Sequence, residues 1–304
     1  MFAVLYGISN SNSLSLGKSM TFIRGVTDIE LLKKKKIVPV LDTVLYDKKM
    51  LALANRPVQV GTSTQVTSTT TTSTIHYKWP TQAPYPNVGA ILPFKRVVAF
   101  YGNLLSTQMG VLGEYPEDVM LAKLDDEVTK WKLADPDTEV IPAMHYIAVT
   151  AQASAGADGM YRARMSDKEI DKVIALAAKR NALIFLDVQV GLSTIQKELP
   201  LLDKYLKMPQ VHFGMDPEFS MKSGARPGKE VGTYDASDIN FVAEHLAKLV
   251  RENGLPPKIL IVHRYTEKMV TNYKQIKPLP EVQIVMDMDG WGGVDHKKST
   301  YQAY

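Results

Sequence analysis

Apolar runs alternate with amphipathic segments over the last two thirds of the chain. The runs "RVVAFYGN" (96–103) and "EVIPAMHYIAV" (139–149) are rich in β-branched and aromatic residues, which is typical of strands. Residues 116–135 between them carry apolar positions at helical spacing. The same alternation predicts strands at 182–191, 210–220, 258–266 and 281–293, and helices at 166–181, 193–208, 237–254 and near 267–276.

This order of elements predicts the fold class. Strands that alternate with helices indicate βα units and a parallel sheet, and strands that are apolar on both faces indicate a sheet covered on both sides. Six units over residues 96–304 correspond to most of a (β/α)8 barrel. A doubly wound sheet is the alternative, but "YGNLLSTQMG" lacks its glycine-rich phosphate loop. We therefore predict an α/β fold of the (β/α)8 TIM-barrel type that is incomplete or truncated at the C-terminus, because two units are missing.

Two helix ends carry capping signals. Ser166, followed three residues later by Glu169, predicts a capping box at the start of one helix. Gly254 predicts the end of another helix, because glycine readily adopts the left-handed conformation found there.

The chain before residue 96 differs in composition. Residues 62–74, "TSTQVTSTTTTST", are almost wholly Thr and Ser, and prolines follow. We predict a disordered linker over 62–95, a barrel domain over 96–304, and an N-terminal segment of unclear role over 1–61. Such tracts are common in stalks of surface domains, so we predict an extracytoplasmic protein, at the cell surface or secreted. The apolar start "MFAVLYGI" is either a plain N-terminus or the remnant of a membrane anchor, which leaves a membrane tether open.

Composition excludes several classes of function. The chain has 304 residues, 45% of them hydrophobic, and a net charge of +4. So small a charge, spread along the chain, gives no reason to expect nucleic acid as a partner. The run "KKKK" (33–36) indicates a solvated segment, with a membrane-surface patch as the alternative. The absence of cysteine excludes disulfides, thiolate metal sites and a cysteine nucleophile.

Polar side chains stand at the end of each predicted strand. Asp187 and Gln189 close one strand, and Asp216 and Glu218 close the next, with a spacing that puts each pair on one face. In a parallel barrel all strands end at one mouth, where barrel enzymes keep their chemistry. The strand ends therefore predict a site formed by Tyr101, Asn103, His145, Asp187, Gln189, Asp216, Glu218, His263, Asp287, Asp289 and Trp291.

A structural interpretation competes with the functional one at each position. Asp289 has an alternative as the N-cap of a following helix. His212 and His245 are interpreted as structural, the first near a strand start and the second on a helix. Asp187 and Asp216 follow strands too apolar to explain a carboxylate by stability alone.

We further predict that eight of these residues line one cleft and face the barrel lumen, because a carboxylate under the helix layer would lack water and partners. Carboxyl groups scattered by more than about 10 Å would contradict a shared site, since that exceeds the separation in inverting glycosidases. The eight are Asn103, His145, Asp187, Gln189, Asp216, Glu218, His263 and Asp287.

The segment 219–238 predicts a long loop that forms a wall of the cleft, with Lys222 and Arg226 available for anionic groups. Aromatic residues near the mouth would suit stacking on sugar rings: Tyr101, Tyr146, Tyr234 and Trp291.

The stretches "VVAFYGN", "MGVLGEYP", "FLDVQVG", "GMDPEFSM" and "VMDMDGWGG" resemble a family of uncharacterised bacterial surface or secreted proteins. The likeness covers residues 96–304. It implies a TIM barrel of the glycoside-hydrolase type, with a pattern that continues past residue 304, but it carries over no established activity.

The leading functional hypothesis is a glycoside-hydrolase-like, carbohydrate-active barrel without a cofactor. Such enzymes need one carboxyl group as acid and a second as nucleophile or base. Glu218 is the predicted acid/base, and Asp187 or Asp216 its partner. The remaining strand-end residues would bind the substrate, a carbohydrate or another small polar molecule.

Two alternatives stay open. The first is a metal-dependent hydrolase in which a divalent metal is bound by His145, Asp187, Asp216, His263 and Asp287, although neither a His-x-His pair nor an HExxH motif occurs. The second is a non-catalytic surface module that binds a glycan or a partner.

Overall fold

The computed structural model describes residues 40–53 and 83–288, together with residues 294, 295 and 298. The Ser/Thr-rich tract lies outside the described residues, as do the basic run 33–36 and two predicted site residues, Asp289 and Trp291. All described residues belong to one unit, residues 39–304.

The described chain alternates strands and helices from residue 95 onwards. The strands are β1 (Lys95–Gly102), β2 (Glu139–Ala151), β3 (Arg162–Arg164), β4 (Leu183–Val188), β5 (Val211–Met215), β6 (Tyr234–Asp235), β7 (Lys258–His263), β8 (Val270–Thr271) and β9 (Val282–Asp287). The helices are α1 (Thr43–Leu53), α2 (Val111–Glu114), α3 (Glu117–Ala134), α4 (Asp167–Ala178), α5 (Ile195–Glu198), α6 (Asp203–Leu206) and α7 (Ala236–Asn253).

Six parallel strands form one curled sheet in the order β1-β2-β4-β5-β7-β9, which makes a half-barrel. The predicted α/β class and parallel sheet are confirmed, and the half-barrel is consistent with an incomplete barrel. Two additions were not predicted: β3 pairs antiparallel with β2, and β6 pairs with β8 in a separate two-stranded sheet.

One face of the sheet packs against the helices and forms the main core. Ile170 and Val173 of α4 and Leu246 of α7 are buried there, among strand residues such as Ile184 and Phe213. Full burial of such a side chain stabilises the fold by roughly 1.5–3 kcal/mol. This side of the sheet holds the strands in place.

The opposite face is the inside of the half-barrel and changes character along the strands. Near the strand starts it is apolar, with Ala143, Leu183, Phe185 and Ile259 in a second cluster. Two residues beyond Phe185 on the same face is Asp187, and two residues beyond Ala143 is His145. The polar strand ends therefore stand on an apolar floor.

Helix ends and breaks follow local chemistry. The Ser166 side chain accepts a hydrogen bond from the Glu169 backbone N–H at 3.4 Å, and Gly254 ends α7 with φ of 60°, so the N-cap at Ser166 and the helix end at Gly254 are confirmed. The helix predicted at 193–208 is broken into α5, a 3-10 turn at Leu199–Leu202 and α6. Pro200 lies at this break, where its ring and missing N–H oppose a continuous helix. The helix predicted near 267–276 is two 3-10 turns flanking β8.

A buried ion-pair cluster fastens β3 to the segment after β4. The Glu198 carboxylate, 1% exposed, accepts hydrogen bonds from Arg162 Nε at 2.9 Å, Arg164 Nε at 2.6 Å and Ser193 Oγ at 2.5 Å. It ties together two segments that flank the C-terminal ends of β2 and β4.

Candidate functional site

Two imidazoles and one carboxylate converge inside the half-barrel. Nε2 of His145, at β2, lies 3.5 Å from Oδ1 of Asp187, and Nε2 of His263, at the end of β7, lies 3.4 Å from the same oxygen. The three ligand atoms all lie within 4.8 Å of one another, and all three residues are buried. A tetrahedral ion with bonds of about 2.0–2.1 Å holds its ligand atoms about 3.4 Å apart. The two nitrogen–oxygen distances match such a site.

Two polar atoms at this centre make no hydrogen bond to the described part of the protein. Oδ1 of Asp187 and Nε2 of His145 are buried and have no hydrogen-bond partner in the described part of the chain. Buried polar atoms without partners are uncommon in folded proteins and require an explanation. A bound cation is one, because it would satisfy both atoms together.

Gly214 of β5 lies against this centre. Its backbone is paired with Asp187 in the parallel ladder. A β-carbon on Gly214 would lie 2.5 Å from Oδ1 of Asp187 and 2.6 Å from Nε2 of His145, which is closer than real β-carbons approach. Only glycine leaves that volume open beside the two ligand atoms.

A second carboxylate orients one of the imidazoles. Oδ2 of Asp287, at the end of β9, lies 3.3 Å from Nδ1 of His263. A proton on Nδ1 leaves the lone pair of Nε2 facing Asp187. Histidine ligands of metals usually have such a partner on the far nitrogen, which fixes the tautomer and the ring.

A chain of polar contacts leads from Asp187 to Asp216. The hydroxyl of Tyr101 donates to Oδ2 of Asp187 at 3.1 Å. The amide nitrogen of Gln189 donates to the Tyr101 hydroxyl at 3.4 Å and to Oδ2 of Asp216 at 3.3 Å. Oδ1 of Asp216 accepts the backbone N–H of Glu218 at 3.0 Å. Both oxygens of Asp216 are therefore held in place.

The imidazoles keep the buried carboxylates ionised. Burial acts to raise the pKa of the Asp187 carboxyl, but the neighbouring His263 and His145 lower it more, and the resulting pKa is below the usual value. Burial likewise raises the pKa of Asp287, while the hydrogen bond and charge of His263 bring it below its usual value.

The structure brings most of the predicted residues together. One imidazole bridges Asp187 and Asp287, and the Tyr101–Gln189 contacts join Asp187 to Asp216, so these carboxyl groups are not scattered. Glu218 is half-buried on the 3-10 turn Pro217–Phe219.

Asn103 has a backbone role beside the cluster. Its amide nitrogen donates to the Ile147 carbonyl at 2.9 Å, and its oxygen accepts the Leu105 N–H at 2.8 Å. These contacts fix the loop after β1 to β2.

Two aromatic predictions are wrong. Tyr146 and Tyr234 belong to the main core, and each is at most 1% exposed, so neither ring can stack on a sugar. Tyr146 is one residue from His145 and therefore points to the helix side of β2. Of the two loop cations, Lys222 forms an ion pair with Asp238, and Arg226 lies over the Tyr161 ring at 5.4 Å.

Sequence reasoning missed Gly214. The available signal was a glycine inside an otherwise buried strand, which often marks a close approach of another group. His212, interpreted as structural, is fully buried, and its Nδ1 accepts the Ile259 N–H at 3.0 Å.

Comparison of the chain with protein-family models, curated proteins and solved structures finds no match. Among the described helices, none is both long enough and apolar enough to cross a membrane.

Proposed function

We propose that the protein is a metal-dependent hydrolase whose divalent ion is bound by His145, Asp187 and His263. The observation that carries this proposal is the convergence of two imidazole nitrogens on one carboxylate oxygen, each at 3.4–3.5 Å from it, beside a volume that Gly214 leaves open. This geometry supports the metal hypothesis over the cofactor-free glycosidase that the sequence favoured.

The donor set favours a transition metal. Two nitrogens and one oxygen suit Zn²⁺ first, with Fe²⁺ and Mn²⁺ as neighbours in preference, whereas Mg²⁺ and Ca²⁺ prefer oxygen ligands throughout. Three protein ligands leave coordination positions for water and substrate, which is the arrangement of catalytic rather than structural zinc.

The chemistry that such an ion supplies is hydrolysis. It lowers the pKa of a bound water to about 7 and polarises an oxygen of the substrate. The side chains of Tyr101, Gln189 and Asp216 would lie near such an ion through their contacts with Asp187 and one another, where they would orient water and substrate.

The wider proposals follow the sequence. We infer that the half-barrel belongs to a barrel of the (β/α)8 TIM type, because its strands are parallel and its polar strand ends share one mouth. An extracytoplasmic location, a tether at the N-terminus and a carbohydrate or other small polar substrate remain proposals that rest on the linker composition and on the family resemblance.

Metal analysis tests the proposal directly. The full chain is loaded with Zn²⁺, dialysed, and assayed for bound metal, and we expect one ion per chain. Asp187→Asn keeps the shape of the side chain and removes its charge, so it should lose that ion. His245→Asn, on α7 and paired with Asp203, is the matched control and should keep it. Failure of the native chain to retain zinc, or equal retention by Asp187→Asn, would contradict the proposal.

Glycoside hydrolysis is the second candidate. It is favoured by one observation, the contacts through Tyr101 and Gln189 that join the ionised Asp187 to Asp216, since glycosidases use two carboxyl groups at one mouth. In this candidate Glu218 is the acid/base. Glycosidase activity that survives removal of metal by a chelator and is lost in Glu218→Gln would favour it over the metal hydrolase.

A further inference from the structure

We propose that Tyr101 restricts Asp187 to a single metal-bound oxygen, Oδ1, and that the centre thereby selects zinc over larger cations such as Mn²⁺. The inference rests on the proposed metal-dependent function and adds to it the residue that sets the metal preference. Tyr101 exerts this effect through the ligands of the ion, so it is a positioning residue.

Tyr101 contacts all three ligands of the centre. Its hydroxyl donates to Oδ2 of Asp187 at 3.1 Å. Its ring lies edge-on to His145, with 5.1 Å between the ring centroids and 77° between the planes, and edge-on to His263, with 5.7 Å and 70°. Edge-to-face contacts at such distances are favourable between aromatic rings. One side chain therefore helps to hold both imidazoles and one oxygen of the carboxylate.

Gln189 determines the direction of the hydroxyl bond. The backbone N–H of Ala151, at the end of β2, donates to Oε1 of Gln189 at 3.0 Å, so the amide nitrogen faces the other way. That nitrogen donates to the Tyr101 oxygen at 3.4 Å and to Oδ2 of Asp216 at 3.3 Å. A phenol oxygen that accepts an amide N–H keeps its own proton for a donor bond. The proton of Tyr101 is therefore directed to Asp187.

The two oxygens of Asp187 consequently differ. Oδ2 accepts the hydroxyl, whereas Oδ1 lies 3.5 Å from Nε2 of His145 and 3.4 Å from Nε2 of His263. Oδ1 is buried, and no hydrogen bond reaches it from the described residues. The phenol proton carries partial positive charge and opposes a cation at Oδ2. The protein therefore offers the ion one oxygen and two nitrogens.

The number of carboxylate oxygens affects which ion the site prefers. Zn²⁺ in catalytic sites combines three protein ligands with water in a tetrahedral arrangement. Mn²⁺ is suited by octahedral sites rich in carboxylate and water oxygens. A carboxylate that binds through both oxygens adds a ligand and favours Mn²⁺, whereas a carboxylate that binds through one oxygen favours Zn²⁺.

The test is the metal preference of the full chain after loss of the hydroxyl. Tyr101→Phe keeps the ring that packs on the imidazoles and removes the bond to Oδ2. Competition with a chelator gives the dissociation constants for Zn²⁺ and Mn²⁺, and circular dichroism shows that the fold remains. We expect zinc affinity to fall by about 10–100-fold, as is typical when a metal ligand loses its partner, and manganese affinity to fall less. The preference for zinc should therefore decrease.

Tyr205→Phe is the matched control. Tyr205 is also a tyrosine whose hydroxyl donates to an aspartate, Oδ1 of Asp167 at 3.0 Å, but it lies in the main core. Removal of that hydroxyl should leave both dissociation constants unchanged. Gln189→Met tests the direction of the hydroxyl bond, because it removes the donor to the Tyr101 oxygen, and we expect the preference for zinc to decrease here as well.

Cobalt reports the number of ligands independently of affinity. Co²⁺ replaces zinc in sites of this kind, and its visible absorption is stronger with four ligands than with five or six. We expect strong absorption from the cobalt-loaded native chain and from Tyr205→Phe, and weaker absorption from Tyr101→Phe. A purely structural effect of the lost hydroxyl would lower the affinity for every ion and leave this spectrum unchanged.

Three outcomes would overturn the inference while the metal site stands. These are equal losses of zinc and manganese affinity in Tyr101→Phe, an unchanged cobalt spectrum in that variant, and weak absorption from the cobalt-loaded native chain. An unchanged metal preference in Gln189→Met would overturn the role given to Gln189. A native chain that retains no zinc is a different failure, because it removes the proposed function itself.

Discussion

A β-carbon on Gly214 would lie 2.5 Å from Oδ1 of Asp187, across a parallel pair of strands in which the two residues face each other. The Asp187 side chain cannot turn away from such a β-carbon, because its carboxylate is buried and its Oδ2 accepts a hydrogen bond from the Tyr101 hydroxyl. The glycine therefore reserves the position beside the ligand atoms.

Gly214→Ala should abolish zinc binding. The added methyl group occupies volume that the ion needs, and the strand cannot retreat because its other face is packed in the main core. The measurement is zinc content after dialysis, together with circular dichroism to show that the fold remains.

Gly228→Ala is the control for this substitution. A β-carbon there meets no atom within 4 Å, although its φ of 78° is strained for alanine. We expect unchanged zinc content in Gly228→Ala. A folded Gly214→Ala protein that retains one zinc ion would contradict the role given to this glycine.

Asp287→Asn should weaken zinc binding without removing it. The carboxylate that orients the His263 ring is replaced by an amide, so the ring loses its charged partner. Loss of such a partner typically costs 10–100-fold in metal affinity. Competition with a zinc chelator measures the dissociation constant. Glu281→Gln, which precedes the same strand and pairs with Arg251, should leave it unchanged. Equal affinity in the two variants would mean that Asp287 does not support the site.

Much of the fold was predictable because strand and helix periodicities survive in this sequence. Parallel strands that each end in polar residues predict a shared mouth, and His145, Asp187 and His263 do meet there. The two-residue period of the strands shows which side chains share a face, but it does not show whether that face points to the lumen or to the helices. The apolar floor formed by Ala143, Leu183, Phe185 and Ile259 now identifies it as the side away from the helices.

Three other features were not predicted, each for a different reason. The role of Gly214 depends on side chains of two other strands. Tyr146 was predicted to lie at the mouth, but its neighbour His145 points there. Adjacent residues of a strand point to opposite faces, so the two side chains cannot both face the mouth. The ladder between β2 and β3 depends on the connection 152–161, which contains the turn dipeptide Asp158-Gly159 but is much longer than a two-residue hairpin turn.

Glu198→Gln should destabilise the fold more than any surface ion pair does. The carboxylate is buried between Arg162 and Arg164, and the glutamine amide removes its charge and replaces one of its two acceptor oxygens by an N–H donor that faces a guanidinium. Breaking a buried pair costs about 3–5 kcal/mol. Urea unfolding measures the loss. Glu139→Gln breaks the exposed pair with Lys95 and should cost less than about 1 kcal/mol. Similar losses of unfolding free energy in the two variants would show that the buried cluster stabilises the fold no more than an exposed ion pair does.

His212 should make the fold sensitive to mild acid. Burial, with a smaller effect from Lys258, lowers the pKa of His212 from 6.5 to about 3. Below pH 6.5 the unfolded chain gains a proton at this residue, while the folded chain does not until the pH nears 3. Stability that is fully present above pH 6.5 is therefore lost as the pH falls between those values. From pH 7 to pH 5 the loss should be about 2 kcal/mol.

His212→Asn removes this titration and keeps an acceptor for the Ile259 N–H, because the amide oxygen of Asn can take the position of Nδ1. Urea unfolding at pH 7 and pH 5 gives the free energy of unfolding at each pH. We expect the difference between the two values to shrink by about 2 kcal/mol in His212→Asn, since the unfolded chain no longer gains a proton there. The same pH dependence in His212→Asn as in the native chain would mean that His212 is not held neutral in the folded protein.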